Sequence, residues 1–286
     1  MLPSFYCIGA PKAGTTWLYA CLAEHPDVFL PEFKEVNWFR GWDGRPSPYA
    51  ERGLAPYEAL FAGARSDQPR GDVSPGLLGA GCAELLHELT PDATIIAILR
   101  DPAERAHSQY HMLAGRHRMP FSFDALCADP RREDPHEILL EGFYARHLAP
   151  YLERFARVLV LRFEELRRSP AALLRRVCEA IGADPGFEPR ALETRVNEAS
   201  SHVSPAFYEL RVRVAEGLAR AGLDRTRRAI KRTGLPRLVE RITRRPTRNP
   251  PLTPEQRARL VAVYAEDVRA LAALLPEQDF QGWLAA

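Results

Sequence analysis

No apolar run in this sequence approaches the roughly 20 residues of a membrane-spanning helix, so a polytopic membrane protein is excluded. Cysteine is sparse. Cys7, Cys21, Cys82, Cys127 and Cys178 are odd in number, scattered and without metal-ligand spacing, which argues against a disulfide framework or a cysteine-based metal centre. They read as reduced structural thiols. Charge of one sign is also missing. The 39 Lys and Arg residues face 37 Asp and Glu for a formal net charge of +2, so the overall balance gives no reason to expect a nucleic-acid partner. Met1-Leu2-Pro3-Ser4 is short and has no basic n-region, so no secretory signal is expected and the location read from it is cytoplasmic.

What is present begins at once. Phe5-Tyr6-Cys7-Ile8 is a short apolar run that predicts a buried strand. It breaks at Gly9 and Pro11, and a helical pattern follows from about Thr15 through Trp17, Leu18, Cys21 and Leu22. Strand, glycine-bearing turn and helix N-terminus together make a cradle for a phosphate-type anion, because unpaired N–H groups and the helix dipole point at it. Gly9 and Gly14 have the spacing of a Walker A loop, and Thr16 stands at its Ser/Thr position. The lysine has moved, however. Thr15 follows Gly14 and Lys12 lies inside the turn, where it can reach the bridging oxygen or terminal group of a phospho-anhydride. The loop is built for a phosphate-type anion other than ATP.

A second feature is Thr94-Ile95-Ile96-Ala97-Ile98-Leu99, a β-branched run that predicts a fully buried parallel strand ending at Arg100. Ligands of open α/β sheets bind beyond the carboxyl ends of the strands. A helix follows, and Ser108 lies eight positions after Arg100, so guanidinium and hydroxyl can converge on one phosphate. The chain of 286 residues with one nucleotide loop is read as a single domain over 1–286. Its expected class is α/β: a P-loop-like three-layer domain with a central, mostly parallel sheet flanked by helices.

Pro11-Lys12-Ala13-Gly14-Thr15-Thr16-Trp17 resembles the 5′-phosphosulfate loop of sulfotransferases that use 3′-phosphoadenosine 5′-phosphosulfate (PAPS), and Arg100 with Ser108 resembles their 3′-phosphate site. The resemblance places the chain near bacterial members and, by motif, near the carbohydrate- and heparan-modifying branch. It implies PAPS as donor, PAP as product and no requirement for metal. Lys12, Ala13, Gly14, Thr15, Thr16 and Trp17 would hold the 5′ end, with Trp17 on the adenine or in the core. Lys34-Glu35 amid Phe33, Trp38 and Phe39 is either a surface ion pair or, by resemblance, the site of the catalytic base Glu35. Asn37 stands where that branch often carries histidine. Asp72-Val73-Ser74-Pro75 resembles an acidic-x-Ser-Pro segment beside the acceptor, or is a turn capped by Ser74. Tyr144 belongs to the site or to the core.

The remaining expectations are local. A helix is predicted from about Leu77 to Leu89, a turn at Glu164-Glu165-Leu166, helices at Glu141–Leu152, Pro170–Gly182 and Pro254–Leu275, and an irregular flap at Met119–Pro135. His107 and His111 have i, i+4 spacing, but lack an evident carboxylate or cysteine partner; with His117 they read as solvent or core residues. Leu210–Pro250 carries thirteen Arg or Lys against Glu216, Asp224 and Glu240, a basic helical segment at about 205–250 whose default is a solvated face. Two rivals stand beside the sulfotransferase reading: an ATP-dependent kinase or NTPase using Asp101 as its Walker-B-type acid, and a polyanion-binding module using the basic segment. The acceptor is expected to be a sugar or small-molecule hydroxyl, less readily an amine; neither a nucleic acid nor a membrane span is expected, and the oligomeric state stays open.

Overall fold

A computed structural model describes residues 1–41, 44–79, 81–115, 119–130, 136–193, 200–202, 244–246 and 249–285. Four strands form the main sheet: β1 (Phe5–Gly9), β2 (Gly71–Val73), β3 (Thr94–Leu99) and β4 (Val158–Arg162). Their order is β2-β1-β3-β4 and every neighbouring pair is parallel. Phe5 stands opposite both Gly71 and Thr94, and Ile95 opposite Val158. Every residue of β1 and β3 is buried. A strand buried on both alternating faces needs a layer on each side; this is the expected P-loop-like three-layer α/β arrangement.

The helices supply those layers. In chain order they are α1 (Thr15–Glu24), α2 (Pro48–Arg52), α3 (Ala55–Glu58), α4 (Ala83–Leu89), α5 (Pro102–Ala114), α6 (Phe123–Ala128), α7 (Tyr144–Arg154), α8 (Phe163–Arg168), α9 (Pro170–Ile181) and α10 (Pro254–Leu274). The last lies against α5, α6 and α7, and α9 against β3 and β4. Thr253 and Gln256 close α10 with a reciprocal capping box. Its Leu260, Tyr264, Val268 and Leu271 face inward. Phe280 and Trp283 dock after it, both buried. No described helix is long and apolar enough to cross a membrane.

Several local expectations are corrected. The helix placed at Leu77–Leu89 is a 3-10 turn at Pro75–Leu77 followed by α4 from Ala83; Gly81 takes a left-handed φ of +65°, which α-helix does not accommodate. Glu164–Leu166 is helical, inside α8. The flap at Met119–Pro135 contains α6, capped by Ser122 accepting from the Ala125 N–H, while 131–135 lie outside the described residues. So do His117 and most of the basic segment at 205–250, apart from 249–250 and Arg244–Pro246, the latter a strand antiparallel to Ser200–His202.

Candidate active site

The loop between β1 and α1 lies at the carboxyl end of the sheet, with the Ala10 N–H donating to Ile98 of β3 at 2.6 Å. Lys12 adopts φ +66° and Gly14 φ +93°. A Cβ on Gly14 would also lie 2.5 Å from a Leu166 methyl carbon, so glycine is required twice over. Gly14 stands at the N-cap of α1 and no side chain caps that end. The first-turn N–H groups of Thr15 and Thr16 therefore remain available to an anion. Thr15 is buried and Thr16 half-buried.

Arg100, just past β3, reaches this loop. Its Nη1 donates to the Lys12 carbonyl at 3.3 Å, and its Nη2 pairs with Glu104 at 3.2 Å. The guanidinium lies 4.9 Å from the Phe163 ring centre. Glu104, Ser108 and Met112 are spaced four apart on α5 and so share one face. At the far end of that face the Lys12 ammonium donates to Met112 Sδ at 3.4 Å. Arg100 and Lys12 thus bracket the stripe that carries half-buried Ser108.

Residues Phe33–Arg40 form a strap over the β1–β2 side. Glu35 (φ +64°) and Asn37 (φ +49°) are both left-handed, a conformation that non-glycine residues keep only when their surroundings impose it. The imposing contacts are visible. The Glu35 N–H donates to Val73 O at 3.1 Å and the Asn37 N–H to Ser74 Oγ at 3.1 Å. Ser74 in turn donates to Asp72 Oδ1 at 2.6 Å, and Tyr57 to Asp72 Oδ2 at 2.8 Å. Burial pushes the Asp72 carboxyl above its ordinary range, against the pull of those two hydrogen bonds and of Lys34. Asp72 and Ser74, read as acceptor-side residues or as a turn capped by Ser74, are fully buried under the strap; Ser74 makes no side-chain cap bond to the turn that follows, and the two residues set the strap's backbone. The Glu35 side chain is 49% exposed and pairs with Lys34, which is 13% exposed. The ion-pair reading and an accessible carboxylate thus coexist. Asn37 Oδ1 is buried without a hydrogen-bond partner.

Two other candidates fall on the structural side of their alternatives. Trp17 is core, its indole N–H donating to Leu192 O at 3.2 Å. Tyr144 is fully buried and donates to the Arg100 carbonyl at 2.8 Å, so it backs Arg100 instead of facing an acceptor. His107 and His111 meet edge to face with ring centres 4.4 Å apart, and no group of three metal-binding side chains exists among the described residues. Burial, His111 and Arg100 lower the His107 pKa to about 4. Asp101 caps α5, accepting from Ala103 and Glu104 N–H, and pairs with Arg257 of α10 at 2.9 Å.

Sequence reading missed Arg257 and also the buried charges Arg40, Arg105 and Glu141. Only the interruption of apolar patterns by charge could have signalled them. A cavity of about 340 Å³ at Pro91–Ala93 and Ala156–Arg157 lies at the amino ends of β3 and β4, opposite the loop.

A parallel sheet with an uncapped glycine loop after one central strand and an arginine closing the next is a P-loop-like α/β arrangement. A family model described as "Sulfotransferase family" matches residues 57–189. Human bifunctional heparan sulfate N-deacetylase/N-sulfotransferase 3 is 30% identical over 213 residues, 65% of this chain and 23% of that protein. Mouse heparan sulfate glucosamine 3-O-sulfotransferase 3B1 is 30% identical over 193 residues, 63% of this chain and 46% of its own length. The chain thus aligns with about a quarter to a half of these relatives. A sulfotransferase structure from Alicyclobacillus acidocaldarius superimposes with a TM-score of 0.69 at 25% identity, covering 100% of both chains. Over these spans the chain is similar to sulfotransferases.

Proposed function

We propose that the protein is a PAPS-dependent sulfotransferase acting on a hydroxyl, less readily an amine, of a sugar or other small-molecule acceptor. The observation that carries this reading is the Arg100–Lys12 hydrogen bond, because it joins two separate anion-receiving motifs into one neighbourhood fit for a nucleotide charged at both ends. Bound PAPS would supply the sulfonyl group. The N–H groups of Ala13 to Thr16, with the Thr15 and Thr16 hydroxyls, would hold its 5′ end, and Arg100 with Ser108 its 3′-phosphate.

Lys12 stabilises the negative charge that develops on the bridging oxygen as its bond to sulfur breaks, a role that positions and pre-organises charge in the same way as in phosphoryl transfer. Glu35 accepts the proton that the acceptor hydroxyl loses as its oxygen bonds to sulfur. Its exposure leaves it reachable by an acceptor from solvent. With Lys12 as the cation, turnover without added metal is expected. Lys34 and Asn37 remain the acceptor-side candidates on the strap. The kinase reading loses its acid, since both Asp101 carboxylate oxygens are committed to the α5 cap and Arg257.

The heparan-directed names of the relatives favour a carbohydrate acceptor. The test combines purified protein and PAPS with desulfated heparan oligosaccharides, simple phenols and amino sugars in the presence of chelator. PAP release that depends on an acceptor supports the reading. Binding of ATP and Mg²⁺ with phosphate release, and none of PAP, refutes it.

A further inference from the structure

The strap that carries Glu35 ends at Arg40, and Arg40 begins a chain of buried charge that no step of the proposed chemistry uses. Its Nη1 donates to Glu141 Oε1 at 3.0 Å and to Gly76 O at 3.2 Å, and its Nη2 to Glu137 Oε2 at 2.6 Å. The other carboxylate oxygen of Glu141 lies 3.6 Å from Nη1 of Arg105 on α5. Arg105 is completely buried; the same Nη1 donates to Gln109 Oε1, Nη2 donates to the Ile138 carbonyl, and Nε has no hydrogen-bond partner among the described residues. Glu141 therefore stands between the strap and the helix that presents Ser108.

Stability alone gives this arrangement little justification. Removing two guanidinium groups and a carboxylate from water is expensive, and well-packed apolar residues of similar volume usually serve a core as well or better. What an ionic chain adds is defined geometry: a forked donor accepts few alternative placements. The fold also makes room for it. A Cβ on Gly76 would sit 2.3 Å from Arg40 Nη1, so the turn directly after Ser74-Pro75 is open only for that guanidinium.

Resting on the sulfotransferase reading above, we infer that Glu141 is a positioning residue: by tying Arg40 to Arg105 it fixes the Glu35 strap relative to the nucleotide-binding helix. Arg40 is the link to the strap and Gly76 the slot that seats it. Neither touches the reacting atoms.

The test is amide hydrogen exchange on the full chain, with and without PAP, for wild type, Glu141→Gln and Gly76→Ala. The second variant displaces the guanidinium without deleting any charge, and so serves if the first fails to fold. In wild type PAP should protect the amides of Ala10 and of Lys12 to Thr16. In either variant amides 34–39 should exchange about tenfold faster or more, while those of β1 and β3 keep their rates and PAP affinity stays within about threefold. Unchanged strap exchange overturns the proposal. So does acceleration of strap and central strands together with loss of PAP affinity, which marks a purely structural role. If PAP leaves those loop amides of wild type unprotected, the nucleotide reading fails and this inference falls with it, a result distinct from either of the other two.

Discussion

The Arg100 guanidinium donates to the backbone carbonyl of Lys12 across 88 residues of sequence. One nitrogen of the fork is thereby spent on shaping the loop, and another on Glu104. Arg100→Lys keeps the charge and loses the fork. PAP affinity, measured by titration calorimetry, is expected to fall about ten- to hundredfold, a loss on the scale of one or two charge-assisted hydrogen bonds. Lys12→Ala should separate differently, with PAP still bound and PAP-releasing turnover reduced by about 100-fold or more. Turnover that survives Lys12→Ala removes it from the chemistry.

Glu35 is the accessible carboxylate of the strap. Glu35→Gln preserves shape and abolishes proton acceptance, so turnover should fall by about 10²–10⁴. PAP affinity should not change, because nothing in the loop or at Arg100 depends on it. A near-normal rate assigns the proton to another group.

Beneath the strap, Ser74 accepts from the Asn37 N–H and donates to Asp72. Ser74→Ala leaves a buried N–H and a buried carboxylate each short of a partner. A stability loss of about 2 kcal/mol is expected from the general cost of such orphans, read from denaturant unfolding. Activity should fall further than stability, since the left-handed turns at Glu35 and Asn37 lose one of their two anchors.

His107 is expected to make the fold sensitive to acid. Its folded pKa, lowered to about 4 from an ordinary 6.5 by burial, means that the unfolded chain takes up this proton first. Stability from this residue is therefore complete above about pH 6.5 and declines as pH falls from there towards 4. His107→Gln should flatten that part of the stability–pH curve. An unchanged curve would assign the acid lability to other groups.

Strands β1 and β3 were legible because they are unbroken apolar runs, and α10 because its inward residues recur at helical spacing, whereas the three-residue β2, Gly71–Val73, has no such run. The start of α4 was not: one glycine at positive φ overrode an otherwise helical pattern. Nor was α8, which buries only Leu166 and so lacks a periodic signature. At the site, the loop glycines and Lys12 declare themselves by spacing, and Arg100 by closing a strand. For Asp72 and Tyr144 the sequence left site and structural roles open; both are interior props in space, with partners in other elements that local sequence does not reveal. The Arg40–Glu141 pair is separated by 101 positions, and no local pattern encodes such a meeting.

Strand order carries a consequence for synthesis. β1 is an inner strand, with β2 and β3 on its two sides, yet it leaves the ribosome before either. Until Thr94–Leu99 has emerged, the segment bearing Lys12 has no ladder on that flank, and its apolar residues must wait for distant chain. The β1–α1 loop is thus translated before its neighbours and finished late, which makes nascent chains halted before about residue 100 the ones that should depend most on chaperones.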